Sequence, residues 1–415
     1  MGSAHLREST SGILVLIHAI YILVYSIAIP VMRVFALLGN KKFKALFEIH
    51  NSSSPPPLPK SKYAWFHCAS LGEYEQAAPV IEAYIAAHSS TPILLTLFSP
   101  SGYIPLRDTP PSWIRPEDHI TALPFDTPRR VAKFLSSFNS QAKFFAASKY
   151  DIWPTLIRSL NKKSIPTNVF AAHITEDSQV VRSSYLKWIW AQLSGIYTQG
   201  QDSTDTLSIA GLSSTPLGDP RVDRVLNLAS SSTSPAGLTE WKADSHLTVA
   251  GSTWRQEEVS LATLPWSSTN KLIVAPHDIS PPNIHRVLNL FNATSPTASL
   301  LSEGNISTPV IIVDSMGQLT SIYTLADLAI VGGGFGNGIH NILEPAANGI
   351  NVMTGPNVDR FREASILSTE GVLTIVPEAN RFATVVWDSI SKPKPQSTWL
   401  DSQKGSAIKI ASTLP

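Results

Sequence analysis

Short apolar runs of strand length alternate with longer stretches of helical spacing through most of the chain. Runs at 64–68, 93–98, 121–123, 144–146 and 167–171 each suit a buried strand. The stretches at 75–87, 128–138, 154–160 and 184–193 suit helices between them. That alternation predicts a parallel sheet with helices on both faces. The rhythm pauses in a flexible, Ser-rich joint at 226–238 and restarts with apolar runs at 247–250, 271–275, 310–313 and 328–331. Two such series predict an α/β chain of two Rossmann-like domains facing a cleft, with ligands beyond the carboxyl ends of the strands.

The N-terminus breaks the pattern. Gly12 to Pro30 holds no charged residue and is about long enough to cross a hydrocarbon core as a membrane-anchor helix. Arg7 precedes it, whereas Arg33, Lys41, Lys42 and Lys44 follow it. The positive-inside rule then puts the body of the chain on the cytoplasmic side. The alternative is a helix in the membrane interface, with Phe35, Leu37, Leu38 and Phe43 beside the lysines touching lipid headgroups. The expected organisation is an anchor with a basic flank over 1–50 and a Pro/Ser linker over 51–59. An N-terminal domain over 60–228, a C-terminal domain over 229–390 and a tail over 391–415 complete it.

Composition narrows the partners. The 415 residues leave room for two full cores, and a formal net charge of +1 gives no reason to expect nucleic acid. The one cysteine, Cys68, excludes an internal disulfide. No Cys/His cluster has zinc spacing, so no metal site is expected.

Candidate chemistry gathers at the ends of the predicted strands. After Leu328–Val331 come Gly332, Gly333, Gly334, Gly336 and Gly338, then a predicted helix over 342–347 with His340 and Asn341 near its start. A strand, a glycine turn and a helix N-terminus together suit an anion. Glu344 lies about one turn beyond His340 and Asn341, so the three can share a ligand. A Gly-rich connection without a ligand is the plainer alternative. Three further strands in this half end in Gly251-Ser252-Thr253, in His277-Asp278 and in Asp314-Ser315-Met316-Gly317. Small and polar groups at four strand ends favour a nucleotide pocket. In the first half, Glu73 stands where strand 64–68 meets its helix, either as a base or as an acid complementing the helix dipole. Lys149 and Asp151 follow another strand and can meet a charged substrate, with Trp153 assigned to packing. The 218–224 segment reads equally as a salt-bridge turn or a site. The glycine cluster has no Gly-x-Gly-x-x-Gly register, and neither a P-loop nor an Asp-x-Asp is present.

Taken together, WFHCASLGEYEQ (65–76), FSPSGY (98–103), LPFDTP (123–128), KYDIWP (149–154) and GDPRVDRV (218–225) resemble the 3-deoxy-D-manno-octulosonic acid (Kdo) transferases of lipopolysaccharide synthesis. So do AGSTW (250–254), APHDI (275–279), DSMGQL (314–319), GGGFGNGIHNILEPA (332–346) and GPN (355–357), in the order the family has them. The resemblance is closest to the Bacteroidetes-type form. It implies a GT-B glycosyltransferase at the inner face of the cell inner membrane. Such an enzyme moves Kdo from CMP-Kdo to a lipid A precursor with inversion and without a bound metal or cofactor. It implies Glu73 as the general base. It assigns His277, Ser315, Met316, Gly317, Asn341 and Glu344 to the donor, with Glu344 on the ribose hydroxyls. The turns 332–334 and Gly251-Ser252-Thr253 then take the phosphate and the Kdo carboxylate, and Lys149 and Asp151 face the acceptor. Asp151 stands where many relatives have Glu, His173 near a position where they carry Arg, and Asn351 where Pro is usual. Another membrane-associated GT-B transferase using a UDP- or GDP-sugar, and a membrane-tethered scaffold with a decayed site, are the competing readings.

Overall fold

The computed structural model describes residues 2–52, 62–137, 141–293, 298–304, 306–336 and 338–415. From residue 53 on, the expected linker lies outside the described residues. The chain divides into two compact units. Unit 1 holds Met1–Arg221 and Gly405–Pro415, and unit 2 holds Val222–Lys404.

In unit 1 the apolar runs become parallel strands: β1 (Tyr63–Cys68), β2 (Ile93–Leu97), β3 (His119–Ala122), β4 (Ala142–Ser148), β5 (Thr167–Ala172), β6 (Gly195–Thr198) and β7 (Thr215–Pro216). They line up in the order β3-β2-β1-β4-β5-β6-β7. Every residue of β1 and β2 is buried, as expected for central strands covered by helices on both faces. On one face Phe66 and Phe144 pack with Ala77, Ile81 and Tyr84; on the other Trp65 and Phe145 pack with Phe134 and Leu156. Truncating a fully buried aromatic such as Trp65 costs about 3–5 kcal/mol.

The last helix, Ser406–Thr413, returns to unit 1. Ala407, Ile410 and Ala411 join that first cluster, and Tyr84 donates to the Pro415 carbonyl at 2.8 Å. At the other end of the chain stand α1 (Gly2–Leu37) and α2 (Lys41–Ser52). The 12–37 part of α1 has a mean hydropathy of 2.4 and is long enough to cross a membrane.

Unit 2 repeats the plan with β8 (His246–Thr253), β9 (Asn270–Pro276), β10 (Ala298–Leu300), β11 (Val310–Ile312), β12 (Leu328–Val331), β13 (Asn351–Thr354) and β14 (Leu373–Ile375). Their order is β10-β11-β9-β8-β12-β13-β14, parallel throughout.

Two expectations need correction. The helix expected from residue 75 starts four residues earlier, as α3 (Leu71–Ala87), so Glu73 lies inside its first turn. The joint expected over 226–238 is helical as far as Ser231, in the helix Pro220–Ser231. Val222, Val225 and Leu226 stand three and four residues apart, and they fix this helix in a cluster with Leu343 and Leu400.

Candidate functional site

In unit 1 the sheet order reverses between β1 and β4, with β2 and β3 beyond one and β5 to β7 beyond the other. A doubly wound sheet opens a crevice at such a point, outside the carboxyl ends of its strands. The turn after β1 carries Glu73 and the turn after β4 carries Asp151. Because α3 starts at Leu71, the half-buried Glu73 side chain folds back, and the Ala69 N–H donates to its Oε2. Burial pushes this carboxyl above its ordinary range. The Ala69 N–H opposes that, Asp151 adds to it, and His67 and Lys149 pull the other way. A carboxylate held like this accepts a proton more readily than one in water.

Asp151 is fixed by two ring nitrogens on one oxygen. His67 Nε2 lies 2.6 Å and Trp153 Nε1 2.9 Å from Asp151 Oδ2. The other His67 nitrogen faces Thr96, at 3.0 Å from its carbonyl and 2.9 Å from its hydroxyl. Lys149 opens the same turn in the left-handed region at φ 62°, a conformation costing about 1–2 kcal/mol for a residue with a Cβ. Its N–H donates to Phe170 O at 2.9 Å, and Tyr150 donates to His173 O at 2.7 Å. The 218–224 segment is a salt-bridge turn. Asp219 is buried with Arg221 Nη2 at 2.6 Å; burial pushes its carboxyl up, but Arg221 outweighs that and holds it below the usual range.

Unit 2 has its own switch point between β8 and β12. Two cavities open there, of about 270 Å³ and 190 Å³, sharing Ser252, Leu319 and His340. The first is lined by His277, Ser315, Met316 and Gly317 as well. The second adds Gly251, Tyr323, Asn341 and Glu344. Glu344 is held by Asn341 Nδ2 on one oxygen and Thr320 Oγ1 on the other, each at 2.9 Å. The rings of Trp254, His277 and His340 follow one another with centroids 4.6 Å apart at each step, the first pair stacked and the second tilted, so that each histidine ring is held by an aromatic neighbour. Burial, with His277 beside it, holds the His340 imidazole below its ordinary pKa.

Thr253, Gly332, Gly333 and Gly334 do not line these cavities. Thr253 Oγ1 donates to the buried Glu258 at 3.1 Å. The Gly332 N–H donates to Gly251 O at 2.9 Å and the Gly333 N–H to Glu257 Oε1 at 3.0 Å. The anion cradle expected of this turn is therefore not formed by those two amides. A Cβ at Gly332 would stand 2.3 Å from Ser252 O, and one at Gly334 2.4 Å from Gly355 N. Glycine here permits backbones to touch. The helix after the turn has five residues, Leu343–Ala347, and His340 and Asn341 precede it, so it contributes little macrodipole. Among the described residues, no group of three or more His, Cys, Asp or Glu is placed to hold a metal ion.

Residues 41–224 match the family model of 3-deoxy-D-manno-octulosonic-acid transferase (kdotransferase). Relatives named 3-deoxy-D-manno-octulosonic acid transferase extend the match to most of the chain. One from Haemophilus influenzae is 27% identical over 353 residues, 81% of this chain and 80% of the relative. One from Aquifex aeolicus is 28% identical over 340 residues, 80% and 86% respectively. Over most of its length the chain is similar to Kdo transferases. Kdo transferases are glycosyltransferases. A solved UDP-GlcNAc 2-epimerase from Neisseria meningitidis, bound to UDP-GlcNAc, covers 85% of this chain and 98% of its own at a TM-score of 0.57. At 11% identity that likeness speaks for the fold alone, the GT-B class of paired parallel α/β units.

Within unit 1, sequence reasoning missed His67 as the partner of Asp151. Its signal was a polar residue in the otherwise apolar strand YAWFHC. Thr320 and Tyr323 were missed too, because they stand on the helix Leu319–Tyr323 beyond the DSMGQL block. The departures also find places. Asn351 Nδ2 donates to Pro393 O at 2.8 Å, a bond that Pro could not make. His173 Nδ1 lies 3.3 Å from Ser203 Oγ.

Proposed function

We propose that this chain transfers Kdo from CMP-Kdo to a lipid A precursor, with inversion, at the cytoplasmic face of the inner membrane. In this reading unit 2 binds the donor. Glu344 receives the ribose hydroxyls, His277 and His340 border the nucleotide, and the Ser252 and Ser315 hydroxyls face its phosphate and the Kdo carboxylate. Glu73 takes the proton from an acceptor sugar hydroxyl as that oxygen bonds to the anomeric carbon of Kdo. The bond from that carbon to the phosphate oxygen breaks, and CMP leaves with the electron pair. CMP is a stable anion, so the protein's work is to orient the reactants and stabilise phosphate charge. The reading needs no bound metal. Asp151 and Lys149 face the acceptor, and α1 holds the chain at the membrane.

The observation that carries the reading is the gathering of Gly251, Ser252, His277, Ser315, Met316, Gly317, Asn341 and Glu344 around two connected cavities at one switch point. Those residues come from separate motifs across about a hundred positions. Thermal unfolding with nucleotides tests it. A ligand that binds the folded chain raises its midpoint by mass action. CMP and CMP-Kdo should raise it, while UDP and GDP at equal concentration should not. A response to UDP or GDP alone overturns the donor assignment, and no response to any nucleotide supports the scaffold instead.

A further inference from the structure

One stripe of α1 lies on unit 1. His18, Tyr21, Tyr25, Ile29, Met32 and Ala36 recur every three or four residues and are buried or half-buried. His18 Nδ1 is 2.8 Å from the Tyr185 hydroxyl, and Tyr21 donates to Asp126 Oδ2 at 2.9 Å. Asp126 also accepts the N–H groups of Thr155 and Leu156, at 2.8 Å and 2.9 Å. The Tyr25 ring meets that of Trp153 at 6.0 Å, and Ile29 packs with Phe47 and Phe125. The other face is apolar and open: Ile13, Leu16, Ile20, Leu23, Ile27 and Val31 are all exposed. Arg33, Lys41, Lys42 and Lys44 are exposed at the same end of the helix.

His18 to Ala36 spans about 27 Å of helix, close to the whole hydrocarbon core of about 30 Å. A helix docked over that length cannot cross the bilayer alone. It would carry Asp126, the Tyr185 hydroxyl and Arg158, whose guanidinium lies 4.5 Å over Trp188 beside His18, into hydrocarbon that rejects charge and unpaired polar groups. We propose that α1 does not span the membrane but lies in the plane of one anionic leaflet. Its docked stripe stays on unit 1, its open face enters the acyl chains, and the basic residues meet the phosphate headgroups. This rests on the membrane attachment in the proposed function. It has a consequence for the acceptor side, because Trp153 donates to Asp151. The leaflet helix is thus packed directly on the turn assigned to the acceptor.

Cysteine accessibility in the full-length chain tests this, since the native Cys68 is buried. Ser3→Cys, ahead of the apolar stretch, and Ser208→Cys, exposed in unit 1, are labelled with a membrane-impermeant maleimide in intact spheroplasts and in inside-out vesicles. Both sites should react only in the inside-out vesicles, with the chain sedimenting with membrane. Reaction of Ser3→Cys in intact spheroplasts, with Ser208→Cys silent there, means a spanning helix: attachment stands and the in-plane arrangement falls. A chain that stays in the supernatant overturns attachment itself. On purified vesicles, phosphatidylglycerol should sediment the protein at least several-fold better than phosphatidylcholine, and Lys41→Glu with Lys42→Glu and Lys44→Glu should remove that preference. An unchanged preference overturns the headgroup contact.

Discussion

Glu73→Gln separates the chemistry of the proposed base from its structural part. Glutamine keeps an oxygen that can accept the Ala69 N–H and loses only the proton-accepting charge. A positioned general base contributes about 10²- to 10⁴-fold, so kcat should fall by that factor, a barrier rise of about 2.7–5.4 kcal/mol. The stability change has the opposite sign. The folded Glu73 carboxyl has its pKa raised above the ordinary 4.5, chiefly by burial. A raised folded pKa means that this group favours folding fully below its unfolded pKa and that the contribution is lost as pH rises through the folded value. At pH 8 the buried charge is therefore a net cost, which glutamine removes. The variant should be at least as resistant to urea as the native chain at pH 8, and its advantage should shrink as the pH falls toward 4.5. The native pH–rate profile should lose activity on an acid limb lying above the usual carboxylate range, and the variant should show no such limb. Turnover of Glu73→Gln within about threefold of native would refute the assignment, given the factor expected of a general base. A variant that is inactive and much less stable would refute the separation of roles.

Two further substitutions test unit 2. Glu344→Ala removes the acceptor of two side-chain hydrogen bonds and the proposed ribose ligand. A hydrogen bond to a charged group is worth about 1.5–3 kcal/mol, so the KM for CMP-Kdo should rise roughly ten- to hundredfold with kcat little changed; a change confined to the lipid acceptor contradicts the donor role. Gly332→Ala puts a methyl group 2.3 Å from Ser252 O. Overpacking of this kind costs about 1–3 kcal/mol, and denaturant unfolding at native stability would contradict the close approach of β8 and β12.

The central strands were legible because both faces of each are covered, so they read as unbroken apolar runs such as Leu328–Val331. The edge strand β3 was read at 121–123. The edge strands β7, with two residues, and β10, with three, are too short for any period, and the four-residue interior strands β6 and β13 were missed as well. The residues of the candidate site were legible one by one, as polar groups at strand ends, but their hydrogen bonds were not. His67 and Asp151 stand 84 residues apart, and Glu257 reaches the Gly333 amide across 76. Nothing local announces such partners, so the glycine turn read as an open anion site when two of its amides are engaged. The apolar N-terminal segment showed its length but not its inner face. Its one hint was the placement of His18, Tyr21 and Tyr25 on a single helical stripe.

The most direct measurement is Kdo transfer itself. The purified full-length chain, incubated with CMP-Kdo and a tetraacylated lipid A precursor, should release CMP and add at least one Kdo unit to the lipid, read by mass spectrometry. Unchanged lipid and donor with a folded, membrane-bound chain, or transfer from a UDP- or GDP-sugar in place of CMP-Kdo, would contradict it.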